Sequence, residues 1–150
     1  EINYVRPYTY QHREGLGSYS HHRAPLAHPL GANFIEAVGI VRYNYKRWHA
    51  DLRLSYAEVG YDTSDSNWGQ NVFLSYNTRE QDFDNKVGQG LNTKIMWAEV
   101  NINYLINPNY RMNGFINVGM RRFEQPSKTT STVLVQAGIR TNLFNRYYDF

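Results

Sequence analysis

The chain has 150 residues, 41% of them hydrophobic and 15% aromatic, including 13 tyrosines, and its mean hydropathy is −0.64. Sixteen basic and thirteen acidic residues leave a formal charge of +3, too mild and too interspersed for a nucleic-acid footprint. No apolar run approaches the ~18 residues of a membrane-spanning helix, and the absence of cysteine excludes a disulfide framework or a thiolate metal site.

Helix signals are poor and period-two alternation is strong, so the chain reads as strands. EINYVRPYTY (1–10) reads as the first, weakened by Pro7, which cannot donate to a ladder. The next segment holds His12, His21, His22 and His28. Adjacent His21 and His22 are expected to point apart, and no Asp or Cys joins them, so zinc is not expected. Two prolines and the series Leu26, Leu30, Phe34 predict instead an ordered loop packed over the end of the fold. FIEAVGIVRYNY places Ile35, Ala37, Gly39, Val41, Tyr43 and Tyr45 on one face, with Glu36, Arg42 and Asn44 opposite and Val38 and Ile40 among them. HADLRLSYAEVG sets Ala50, Leu52, Leu54 and Tyr56 against Asp51, Arg53 and Ser55.

The stretch 61–92 is harder to assign. Asp62, Ser64, Asp65 and Asn67 are oxygen ligands of the kind calcium uses, but the spacing and closing Glu of a calcium loop are missing. NWGQNVFLSYN (67–77) alternates and is expected to form a strand outside the membrane; two further spanning strands here are the alternative. Glu80, Asp82 and Asp84 read as a solvated loop, since nothing fixes them as an acid–base pair. VGQGLN follows no strand and opens no helix, so phosphate binding is not expected. Beyond it, TKIMWAEVNINYLI sets Met96, Ala98, Val100, Ile102 and Tyr104 against Trp97, Glu99, Asn101 and Asn103. MNGFINVGMRRF sets Ile116, Val118 and Met120 against Phe115, Asn117 and Arg121; TVLVQAGIRTNL sets Val133, Val135, Ala137 and Ile139 against Gln136 and Arg140.

The stripes run about 9 to 12 residues, the length of a tilted membrane-crossing strand, where soluble strands average about 5 to 6. Short connections at 46–48 and 107–111 alternate with long ones at 11–33, 61–94 and 124–131, the asymmetry of outer-membrane barrels. Aromatic residues cluster at both predicted ends: Tyr43, Tyr45, Trp48, Tyr104, Tyr110, Phe144, Tyr147 and Tyr148 at one, Tyr8, Tyr10, Phe34, Tyr56, Tyr61, Trp97 and Phe123 at the other. Two such girdles fit headgroup level. A soluble β-sandwich would also alternate, but length, parity and girdles together favour the barrel. The expectation is therefore an all-β, antiparallel transmembrane outer-membrane β-barrel. This chain would supply about the last six strands of a larger barrel, since about eight is the lower bound. Residues 1–150 would form the C-terminal portion of that one domain, with Phe150 near the lower girdle.

The motifs PLAHPLGANF, NWGQNVFLSYNTRE, VGQG, INPNYRMN and IRTNLFNRYYDF resemble the Wzi-like capsule-assembly outer-membrane proteins of Bacteroidota, to which the RemB-type gliding-motility proteins belong. The resemblance implies a non-enzymatic surface protein that anchors capsule or takes part in adhesion. Its expected partners are outer-membrane lipid, surface polysaccharide and other outer-membrane proteins of a larger assembly, with no nucleic acid, metal or cofactor.

Rings that stack on sugar faces and amides that bond hydroxyls make Tyr19, His21, His22, Tyr61, Trp68 and Asn71 the candidate glycan-binding residues. Glu99, facing a polar interior, is expected to pair with Arg121 or Arg140, because an isolated buried carboxylate is costly. The alternative function is a transport channel with Arg42, Arg53, Arg121 and Arg140 lining the lumen.

Overall fold

The computed structural model describes residues 1–14, 17–22 and 24–141. The strands are β1 (Ile2–Val5), β2 (Ser20–His21), β3 (Ala24–Pro25), β4 (Phe34–Tyr45), β5 (Trp48–Tyr61), β6 (Leu91–Asn107), β7 (Met112–Gln125) and β8 (Lys128–Arg140). Six of them form one antiparallel sheet in the order β1-β4-β5-β6-β7-β8, and β2 and β3 make a small separate hairpin. Among the described residues the large sheet is open, with a free edge along β8.

The turns lie where the alternating loop lengths place them. At one end, β4 turns into β5 through Lys46, whose φ of 53° is left-handed. At the same end, the β6–β7 turn is tied by the Asn107 side chain, which accepts from the Asn109 N–H at 2.9 Å. The opposite end carries the segments 6–33 and 62–90 and the β7–β8 turn.

Four expectations need correction. The first strand covers only Ile2–Val5, because Pro7 removes a donor and Tyr8 turns to a φ of 63°. The β7–β8 connection is a two-residue turn at Pro126–Ser127, since Thr129, Thr130 and Ser131 pair with Glu124, Phe123 and Arg122 and extend both strands. Residues 67–77 form no strand; they are irregular up to a single 3₁₀ turn at Tyr76–Thr78. The outer aromatic girdle is mostly not on the apolar face: Phe34, Tyr61, Trp97 and Phe123 share the other face with Glu99 and Asn117. Tyr56 does lie on the apolar face, 38% exposed. The expected positions of Phe144, Tyr147, Tyr148 and Phe150 lie outside the described residues.

The register stacks apolar side chains into rungs across the sheet. Val41, Leu52, Val100, Val118 and Val135 stand in one line, and Gly39, Leu54, Ala98, Met120 and Val133 in the next. At the loop end the rungs give way to Glu58, Lys94 and Glu124; at the turn end they finish on Tyr45, Trp48 and Tyr104. Trp48 and Tyr104 rings meet at 4.8 Å. From Lys94 to Tyr104 the strand advances about 34 Å at about 3.4 Å per residue. Tilted by about 40°, that is close to the ~25 Å apolar band of a membrane barrel.

On β6 and the middle of β7 the burial is inverted relative to a soluble sheet. The apolar side chains are the exposed ones: Val100 is 40% exposed and Ile116 55%. On β6 and β7 their polar neighbours Glu99, Asn101, Asn103 and Asn117 are half-buried. The only cluster of buried strand residues among those described is Phe34, Ala57 and Val59, flanked by Val5, Leu30, Tyr61 and Ile95. It lies on the polar-side face at the loop end.

Candidate functional site

The two long segments at that end fold into one cap, because short polar side chains replace the ladder that a strand would have used. Asn33, fully buried and left-handed at φ 57°, is the hub. Its Nδ2 donates to the carbonyls of Gly60 (2.7 Å), Gln89 (3.0 Å) and Trp68 (3.1 Å), and its Oδ1 accepts from the Gly88 N–H (2.9 Å). One side chain thus holds the top of β5 against both halves of 62–90. The Asp62 carboxylate collects the backbone N–H groups of Trp68 (2.5 Å), Asn71 (2.7 Å) and Gln70 (3.5 Å). Its oxygens are spent on the loop, and no metal-binding group of three or more His, Cys, Asp or Glu residues occurs among the described residues.

Asn67 joins this loop to 6–33. Its Oδ1 accepts from Gln11 Nε2 at 3.0 Å, its Nδ2 donates to Thr78 Oγ1 at 2.9 Å, and its carbonyl accepts from the Tyr8 hydroxyl at 2.7 Å. Burial pushes the Tyr8 phenol up from its ordinary value. Further cross-links run from the Tyr8 N–H to the Gly69 carbonyl (3.1 Å) and from the Ala32 N–H to the Gln70 carbonyl (3.1 Å). At Gly69, φ is 84° and a Cβ would stand 2.4 Å from the Tyr8 nitrogen, so only glycine allows this approach. The described part of the 11–33 loop is hydrogen-bonded to its neighbour.

The six glycan candidates divide into two groups. Tyr61, Trp68 and Asn71 are working parts of the cap. Tyr61 packs on the Phe34 cluster. Trp68 lies on Gly90, where a Cβ would meet its ring at 2.6 Å. The Asn71 side chain accepts from the Phe73 N–H at 3.0 Å. Tyr19, His21 and His22 stand exposed on or beside the β2–β3 hairpin. The Tyr19 ring lies 5.9 Å from that of Tyr10, tilted by 30°. His21 and His22 do not point apart: their rings approach to 4.0 Å, because His22 takes a left-handed φ of 47°. No ring contact or hydrogen bond joins the two groups among the described residues.

Comparison with known protein families, curated proteins and solved structures finds no match.

On the polar face, Glu99 accepts from Asn117 Nδ2 at 2.8 Å and has no ion-pair partner among the described residues. The expected pairing with Arg121 or Arg140 fails for reasons of register. Glu99 stands opposite Arg53 and Gly119, Arg121 opposite Trp97, and Arg140 opposite Asn113. Arg121 instead lies over the Phe123 ring at 5.7 Å and Arg140 over Phe115 at 5.0 Å. Between strands on this face, among the described residues, Arg42 pairs with Asp51 at 3.5 Å, beside His49 at 2.9 Å from the same carboxylate. Glu99→Gln keeps an acceptor for Asn117, so denaturant unfolding should show a loss under about 1 kcal/mol. A loss above about 3 kcal/mol would reveal a partner charge on Glu99.

The sequence reading passed over Asn33, and weighed Asp62 and Asn67 as calcium-type oxygen ligands without seeing that they organise the loop. The signal was present as Asx residues two positions from a glycine in GANF, GYD and SNWG, since Asn tolerates left-handed backbone and both types bond nearby N–H groups.

Proposed function

We propose that this chain is part of an outer-membrane β-barrel whose ordered loop cap binds surface polysaccharide, without catalysis, in capsule anchoring or in adhesion during gliding. The observation that carries the reading is the inverted burial on β6 and β7: Val100, Ile102, Ile116 and Val118 are exposed while Glu99, Asn101, Asn103 and Asn117 are half-buried. In water this arrangement would be strongly unfavourable; against lipid it is the stable one. The free sheet edge supports a larger barrel, because backbone groups facing lipid need partners. The sequence motifs quoted above support the Wzi-like assignment within this reading.

Glycan contact is assigned to the exposed group, Tyr19 with His21 and His22, held on a cap too cross-linked to collapse away. Tyr61, Trp68 and Asn71 are assigned to holding the cap together instead. Replacing Tyr19, His21 and His22 together by alanine should weaken binding to the cell's own purified polysaccharide by about tenfold or more, equivalent to about 1.4 kcal/mol. Heat-modifiable migration on gels should be unchanged. Trp68→Ala should act differently, by loosening the cap and speeding proteolysis within it. Unchanged glycan binding in the triple variant would remove the lectin reading.

A transport channel is the second reading. It is favoured by Arg53, Arg121 and Arg140, which all face the polar side without a carboxylate partner among the described residues. Anion-selective conductance in planar bilayers, reduced by Arg53→Gln, would move the assignment to it.

A further inference from the structure

Resting on the glycan reading, the β2–β3 hairpin defines the chemistry of its ligand. We propose that it takes a carboxylate-bearing sugar of an acidic polysaccharide. The sugar ring lies against Tyr19 and Tyr10, and protonated His21 and His22 receive the carboxylate.

The backbone builds the imidazole pair. Successive side chains on an extended strand point to opposite sides, but the left-handed φ of 47° at His22 brings the two rings to 4.0 Å. That conformation is uncommon for a residue with a side chain, and it recurs at ligand sites. Tyr19 precedes β2 directly, and its carbonyl accepts from the Leu26 N–H at 3.2 Å, just beyond β3. Tyr10 adds a second ring from outside the hairpin. The Tyr19 N–H donates to its carbonyl at 3.3 Å, and the two rings lie 5.9 Å apart, tilted by 30°. Tyr19, 55% exposed, offers an apolar ring beside the imidazoles.

An anion is the complement of this pair. Neither imidazole has an ion-pair partner among the described residues. Two charged rings at this separation repel, and a carboxylate shared between them relieves the repulsion through charge-assisted N–H···O bonds. The segment 6–33 carries Arg6, Arg13 and Arg23 against Glu14 alone. The stretch packed on the hairpin through Tyr10 bears His12, Arg13 and Glu14, and Glu14 pairs with neither imidazole. Acids of the other loop are mostly engaged: Asp62 on backbone N–H groups, Glu80 on the Asn67 N–H at 3.3 Å and Asp82 on Arg79 at 2.6 Å. Imidazole gains its charge between about pH 8 and about pH 5, where carboxylates stay ionised. Binding therefore tightens as the pH falls.

The test uses the full protein and the cell's own purified polysaccharide, native and with its carboxyl groups chemically reduced to alcohols. Affinities are measured at about pH 5.5 and about pH 8, with and without a metal chelator. The native polymer should bind about tenfold more tightly at the lower pH. The reduced polymer should lose that gain and bind as the native one does at the higher pH. His21→Gln with His22→Gln should hold the native polymer at the weaker level at both pH values, and Tyr10→Ala should weaken binding at both. Equal wild-type affinity at the two pH values, or an acid gain that survives in the double variant or with the reduced polymer, would overturn carboxylate recognition while leaving glycan binding standing. So would full affinity in Tyr10→Ala, or binding abolished by the chelator, the sign of a metal held by the imidazoles. No binding of either polymer at either pH would overturn the glycan reading and this site with it.

Discussion

Asn33→Leu should detach the loop cap from the sheet. The substitution removes four hydrogen bonds at once and strands the carbonyls of Gly60, Gln89 and Trp68 and the Gly88 N–H. An unsatisfied buried polar group costs about 1–3 kcal/mol. A branched side chain at φ 57° adds about 1–2 kcal/mol. Even with partial relaxation and some rehydration, the cap should lose more than about 4 kcal/mol. Limited proteolysis should then cut within 62–90 in the variant and not in the wild type, while the strands stay protected. Asn33→Gly, which restores the backbone freedom but not the bonds, should recover only the smaller part. A variant as resistant as the wild type would mean that Asn33 is not the hub.

The second large effect separates the two faces. Val118 is in the middle of the apolar rungs, opposite Val100 and Val135. If that face meets lipid, Val118→Arg places a charge near the midplane and should cost about 2–4 kcal/mol in reversible unfolding from bilayers. Asn117→Arg, one residue away on the face shared with Asn101 and Gln136, should cost well under half as much. Equal penalties at 117 and 118 would place both faces in the same surroundings.

The strands were legible because each is long enough to repeat its pattern several times. In TKIMWAEVNINYLI the polar positions Glu99, Asn101 and Asn103 leave one workable parity, and the pairing of β6 with both neighbours follows it. The same parity contained the answer to the misplaced outer girdle: Trp97 lies in phase with Glu99, so it cannot share a face with Met96. Height along a strand was read correctly and direction was not. The start of β8 was misjudged because a run of Thr and Ser looks like a loop by polarity, although Thr favours strands and the pairing continues to Gln125 and Lys128.

The cap was only half legible. Alternation in NWGQNVFLSYN gave the form of a strand, but Asp62 and Asn67 bind the backbone N–H groups that a neighbouring strand would have bound. Those partners lie up to nine residues away, as for Asp62 and Asn71, beyond the reach of a short pattern window. The glycan candidates suffered from the same blindness. Aromatic and amide side chains suit sugars and loop cores equally, and only burial separates Trp68, on Gly90, from Tyr19, 55% exposed. The Glu99 pairing failed because shared face and opposite charge were taken as proximity, whereas Arg121 stands two residues along β7 from the Glu99 partner Gly119.

The central claim is that the apolar face of this sheet meets lipid. Nitroxide scanning along β6 tests it most directly, with single cysteines at 96 through 104 in the full protein reconstituted into liposomes and collision rates measured for oxygen and for a water-soluble nickel chelate. The account predicts a period of two: oxygen access high at 96, 98, 100, 102 and 104, and low at 97, 99, 101 and 103. Absent alternation, or alternation with the opposite phase, would contradict it.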